Sequence, residues 1–447
     1  MLASIGSIGK AMAGSWSSGG RGQHRAGLVA RAFGVAAATA MALSACTSAQ
    51  PSSTTAAEGG RTVLTLAGMS CAWPTELSAQ TNNTWFPDAA AVYWVQPIVA
   101  PPGSRIVLSG RFPDARYTSV DVYTPGGVGT ALSDYRIVPQ PGSLNPWQQQ
   151  AAPGGRYTVT IRSGPAAGQA DTLPLPAGTT RQHPGYLIYR VYLPAGGNSS
   201  AVPVPVLTVE QGHTARTLPA CRTRDAQVPA PVTASAAGAG GSGATAPPPP
   251  QLAFYKPAQS TFNDAGLANV DTTYVLAYLI HPPAADVVVV TAKAPTFAPG
   301  SHPSPWPASG EDVRYWSMCV GVGIRLVPVV ANKLPGGGTD YGCRADQATR
   351  LNAAGDFTYV IGSESQRAAI SHVPGVTFLP FSTTHPTGLY LLALREMLVS
   401  PSFARSPQGI TQAGDPAAAA AAMGPYYPRA VVCPLATLTA AGPRACR

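Results

Sequence analysis

Short apolar runs separated by Pro- and Gly-rich breaks fill most of the chain. In the first half they are Arg105-Ile-Val-Leu-Ser-Gly110, Arg116-Tyr-Thr-Ser-Val-Asp-Val-Tyr123, Arg156-Tyr-Thr-Val-Thr-Ile161 and Tyr186-Leu-Ile-Tyr-Arg-Val-Tyr192. Their β-branched and aromatic content predicts β-strands. Tyr117, Ser119, Asp121 and Tyr123 alternate with Thr118, Val120 and Val122, the pattern of a half-buried strand with one face toward a core. In the second half, strands are predicted over Asp286–Thr291 and Val376–Phe381. Leu389-Tyr-Leu-Leu-Ala-Leu-Arg-Glu-Met-Leu398 reads as a helix stopped by Pro401, and the Ala417–Ala422 run after Asp415-Pro416 as another.

The second half repeats the plan of the first. Asp88 answers Asp271, and Gly110-Arg-Phe-Pro113 answers Ala292-Lys-Ala-Pro295. Arg116-Tyr117 answers Arg314-Tyr315, Arg156-Tyr-Thr-Val159 answers Asp356-Phe-Thr-Tyr359, and Gly185-Tyr-Leu187 answers Gly388-Leu-Tyr390. The offset grows almost steadily, with a single jump at the Pro/Ser stretch Thr296 to Gly310. An internal duplication follows. The expected fold is mainly β: two tandem antiparallel, jelly-roll-like β-sandwiches over 61–221 and 251–447, with a few short helices in the second. Residues 222–250 contain ASAAGAGGSGATAPPPP and cannot bury a core, so they form a linker whose prolines Pro247–Pro250 make a stiff spacer.

Composition supports this division. The 47 Gly and 46 Pro of 447 residues argue against long helices. A chain this long exceeds the usual size of one core.

The N-terminus adds a location. Lys10, Arg21, Arg25 and Arg31 precede a short apolar run, Ala32 to Leu43, which is too short to span a bilayer. Leu43-Ser44-Ala45-Cys46 then resembles the lipobox of bacterial lipoproteins. The resemblance implies that residues 1–45 are a signal peptide and that Cys46 carries a diacylglycerol as the new N-terminus. Residues 46–60 would then be a lipidated, small and polar tether. It places the mature protein on the outer face of the cell membrane, anchored and not spanning. Losing four basic residues leaves the mature chain with 25 basic and 20 acidic residues, a modest excess. No Lys/Arg run marks a nucleic-acid face.

Beyond Cys46 the cysteines are even in number, as expected of disulfides in an exported protein. Six cysteines allow 15 connectivities; the set expected is Cys71 with Cys221, Cys319 with Cys343, and Cys433 with Cys446, in which each pair lies within one proposed unit. No spacing suits a metal site, and no H-x-H or H-x-x-x-H occurs.

Asn269-Val-Asp-Thr-Thr-Tyr274, an apolar strand and Arg314-Tyr-Trp-Ser-Met-Cys319 resemble a bacterial family of paired β-sandwich proteins of unknown function, with an Asn-x-Asp-Thr-x-Tyr signature. The resemblance implies a fold and no activity. Asp271 has two readings: a cap for a local turn, or a member of a ligand pocket with Tyr274, Arg314 and Trp316, suited to a sugar or small polar ligand. No G-x-S-x-G or phosphate-loop signature appears. Glu311, Asp312, Asp340, Asp346 and Glu364 obey no catalytic spacing. No catalytic residue, metal or cofactor is assigned. The expected function is non-catalytic binding of an envelope glycan, lipid or protein partner, with a hydrolase acting on envelope material as the alternative.

Overall fold

The computed structural model describes residues 68–99, 101, 103–164, 169–197, 199–224, 251–258, 267–324 and 326–446. The signal peptide, Cys46, the tether and nearly all of the linker lie outside these residues. The first half contributes β1 (Thr75–Leu77), β2 (Ala91–Ile98), β3 (Arg105–Arg111), β4 (Ala115–Tyr123), β5 (Gly129–Ser133), β6 (Arg156–Arg162), β7 (Thr172–Pro174), β8 (Gly185–Pro194), β9 (Val206–Gln211) and β10 (Thr214–Leu218). The second half adds β11 (Thr272–Ile280), β12 (Asp286–Lys293), β13 (Val313–Val322), β14 (Ala331–Lys333), β15 (Thr339–Tyr341), β16 (Cys343–Ala345), β17 (Asp356–Gly362), β18 (Thr377–Pro380), β19 (Leu389–Val399) and β20 (Arg429–Pro434). Three short helices, α1 (Arg367–Ser371), α2 (Pro416–Met423) and α3 (Leu435–Ala441), also belong to the second half.

Each half is a sandwich of two sheets with its own apolar core. The strand orders are β1-β2-β8-β4-β5 and β10-β9-β3-β6-β7 in the first half, and β11-β19-β13-β16 and β18-β17-β12-β20 in the second. The orders match strand for strand once β1, β10 and the β14–β15 hairpin are set aside. The match extends to the parallel pairs, β6 with β7 and β17 with β18. The duplication read from five short matches is therefore present in the topology. Ile106, Leu108, Tyr157 and Val159 fill the first core, where Val288, Val290, Phe357 and Tyr359 fill the second.

The three disulfides are Cys71–Cys221, Cys319–Cys343 and Cys433–Cys446, the pairing expected from the sequence. Asp415 caps α2 by accepting the Ala417 N–H at 2.8 Å, with Pro416 in the first turn. No helix among the described residues is long and apolar enough to cross a membrane.

Two expectations need correction. Leu389–Val399 is a strand, paired along most of its length with β11 on one side and β13 on the other. Its apolar run lacks alternation because both of its faces are buried, and such a run cannot be told from a helix by periodicity alone. β4 is also buried on both faces, as are β2, most of β8 and β13. The polar face of β4 does not meet water; it packs against the other half. The described residues of both halves belong to one compact unit.

Candidate functional site

The faces of β4, β8, β13 and β19 that do not point into a core meet in a seam between the halves, and its charges cross over. Arg116 of β4 donates from Nη1 to both carboxylate oxygens of Asp346, at 2.7 and 2.6 Å. Arg314 of β13 reaches back to Asp134 at 3.4 Å. Each aspartate opens a 3₁₀ turn after the edge strand of its own half, Asp134–Arg136 or Asp346–Ala348. Each accepts equivalent backbone N–H groups, from Thr118 and Tyr135 at 2.8 and 2.6 Å, and from Trp316 and Gln347 at 3.2 and 2.6 Å. Residue i of one half thus binds j of the other while the equivalent j binds i. This is the self-complementary pattern of a twofold interface, here within one chain.

A second pair of arginines stands further along. Arg190 faces Tyr93 and Ser119 in register, and Arg395 faces Tyr274 and Ser317. Arg190 pairs with Asp121 at 3.2 Å and donates to the Leu267 carbonyl of the other half. Arg395 pairs with Asp88 of the first half at 3.1 Å and donates to the Phe86 carbonyl at 2.5 Å. Between them Tyr192 meets Tyr93, Tyr117 and Tyr315 edge-on, with centroids 5.2–5.9 Å apart. Such contacts add to area burial.

The four residues singled out from the sequence do not line one open pocket. Asp271 accepts from Tyr117 Oη at 2.7 Å and from Ser133 Oγ at 2.6 Å, both in the first half. The local turn is instead held by Asn269, whose Oδ1 accepts the Asp271 N–H at 3.0 Å. Tyr274 lies beside Arg395, 5.9 Å from guanidinium to ring centroid. Arg314 is fully buried in the crossed pair, beneath the Trp306 ring at 5.0 Å. Trp316 sits in the second core, stacked on Phe357 at 5.5 Å. Asp88, Arg116, Asp134, Arg190, Asp346 and Arg395 carry the seam and went unassigned as site residues. The signal present for some of them was the repeat itself, which had matched Asp88 to Asp271 and Arg116 to Arg314.

Burial pushes the carboxyls of Asp121, Asp134 and Asp346 up to about 6, against the pull of Arg190, Arg314 and Arg116 respectively. Burial, with Asp312 nearby, holds Glu396 well above the usual carboxylate range. The native state therefore keeps protons that the unfolded chain has released between about pH 4 and pH 6, so stability falls as pH rises through that window. The denaturation midpoint is expected to be higher at pH 5 than at pH 7.5. A denaturant titration at each pH checks it, and Asp134→Asn should shrink the difference.

These carboxylates are at most 1 % exposed. No substrate reaches them in this state, and their chemistry is cohesion. Asp88, Cys319 and Cys343 place potential ligand atoms within 4.8 Å of one another, but the two sulfurs are bonded to each other, which leaves one carboxylate and no metal site in this form. A shallow groove of about 260 Å³ opens at the rim of the seam, between Ala90 and Leu193 on one side and Tyr341, Arg344 and Gln347 on the other.

No family model matches the chain, and no curated protein matches it. Among solved structures, the chain is similar to an uncharacterized protein from Burkholderia cenocepacia, with 14% identity, a TM-score of 0.46, and 82% of this chain and 83% of that one covered. It is also similar to a protein from Vibrio parahaemolyticus, with 12% identity, a TM-score of 0.36, and 77% and 89% coverage.

Proposed function

We propose that this is an exported lipoprotein, held to the outer face of the cell membrane through Cys46, whose paired sandwiches bind an envelope component without catalysis. The supporting observation is cysteine arithmetic. Three disulfides use six of the seven cysteines, so the one left over is the cysteine of the lipobox-like sequence. Disulfides of this number fit an oxidising compartment. Binding is favoured over hydrolysis because the three carboxyls raised to about 6, Asp121, Asp134 and Asp346, lie sealed in the seam rather than in a cleft.

The test is acylation. The full chain, expressed in a bacterial host fed labelled palmitate, is expected to take up label and to yield a mature N-terminus at Cys46. Cys46→Ser is expected to take up none. Label retained by that variant would sink the anchor, and wild-type protein recovered unlabelled with residues 1–45 still attached would sink export by this route.

A further inference from the structure

The duplication provides an internal comparison for one surface. In the second half the outward face of the β18-β17-β12-β20 sheet is covered: Val287, Val289 and Val360 pack against Ile370, Val373 and Leu438 from α1, α3 and their flanks. In the first half the same face of β10-β9-β3-β6-β7 has no helix over it among the described residues. The equivalent positions change character accordingly. Val287 is replaced by Arg105, and Val360 by Thr160.

That open face is a ladder of like charges and hydroxyls. In the antiparallel register of β3 and β6, Arg105 stands directly opposite Arg162, and Arg111 directly opposite Arg156. Like charges in such positions are destabilising. The second half carries a complementary pair where the first has Arg111 and Arg156: Lys293 opposite Asp356. Glu210 neutralises Arg105 at 3.2 Å; Arg111, Arg156 and Arg162 have no acidic partner among the described residues. Between the two arginine pairs lie Ser109 opposite Thr158 and Val107 opposite Thr160. Thr208 and Thr217 extend the row sideways, their hydroxyls 3.0 Å apart. Six residue steps along the strands separate the arginine pairs, about 20 Å.

We propose that this face binds a linear anionic polysaccharide of the envelope, laid along β3 and β6 with negative groups at the two arginine pairs and sugar hydroxyls over the Ser/Thr rows. The charge calls for an anion. The distance between the pairs calls for an extended chain rather than a small molecule. A membrane fits less well, because the rows hold valines but no aromatic or long apolar side chain to enter a lipid boundary. The inference rests on the binding reading above and is independent of the lipid anchor.

The experiment uses the full chain in detergent against two probes, heparin and polygalacturonate; the third arm sets phosphatidylglycerol vesicles, without detergent, against the full chain carrying Cys46→Ser, so that no acyl anchor can insert. Binding to at least one polymer, weakening steeply with added salt, is expected. Arg111→Ser/Arg156→Ser is expected to lower that affinity by about tenfold or more while its melting temperature stays level or rises, since a repulsive pair is removed. Lys293→Ser is expected to leave affinity unchanged. Polymer affinity unaltered in the double variant would overturn the face while leaving the binding reading intact. Binding to vesicles alone would overturn the polysaccharide, and binding to no probe would overturn an anionic partner altogether.

Discussion

Arg116→Met is expected to destabilise the protein by about 3–5 kcal/mol at pH 7.5 and by much less at pH 5. Arg116 is 1 % exposed and spends its donors on Asp346, Gln347 and the Gly300 carbonyl, all in the other half. Its removal strands the Asp346 carboxylate in a site whose burial already pushes the carboxyl up to about 6 with the arginine in place. Without the arginine the carboxyl rises further, and at neutral pH it must be desolvated as an ion or take up a proton against the solution. At pH 5 the proton is available and most of the penalty goes. Denaturant midpoints of wild type and variant at the two pH values measure this directly. A penalty equal at both would mean that lost hydrogen bonds and packing, not the stranded charge, govern the seam. The double variant Arg116→Met/Asp346→Leu should recover much of the loss, because an apolar pair of similar volume often replaces a buried ion pair at little cost.

The second large effect is expected from Cys71→Ser/Cys221→Ser. This disulfide joins residues 150 apart and closes nearly the whole first sandwich into a loop. Chain entropy alone gives about 5 kcal/mol for a loop of this length, against about 3 for the shorter loops of Cys319–Cys343 and Cys433–Cys446. The native geometry supports the bond: Cys221 N–H donates to the Ala72 carbonyl at 2.7 Å, and Ala72 N–H to the Pro219 carbonyl at 2.8 Å. The bridge thus ties the lead into β1 to the end of β10. Guanidinium midpoints of the three double variants should rank by loop length. If Cys319→Ser/Cys343→Ser proves the most damaging, packing in the seam outweighs loop entropy, since Cys319 is fully buried there beside Arg395.

Both effects concern cohesion, and together they describe a rigid platform. Crossed ion pairs and tyrosines lock one sandwich to the other. The chemistry left for a partner lies outside, on the face of the first sandwich that the second half's own copy covers with helices.

The sequence by itself pointed to strands β3, β4, β6, β8, β12 and β18, to the duplication, and to a disulfide pairing within units that the structure contains. Each rests on local information: β-branched runs between Pro and Gly, an even set of cysteines within two units, and short motifs recurring in order. The tertiary structure decided what each strand's second face meets. Tyr117, Ser119 and Asp121 alternate as they would on a solvated strand, yet they are buried, because Tyr117 donates to Asp271 of the other half while Ser119, Asp121 and Arg190 satisfy one another beneath the seam. Arg116 and Asp346 lie 230 positions apart and Arg314 and Asp134 lie 180 apart, so no local pattern could join them. The same limit hid β19, whose unbroken apolar run came from burial on both sides. Alternation reports that two faces differ; only packing shows whether the polar one meets water or another protein surface.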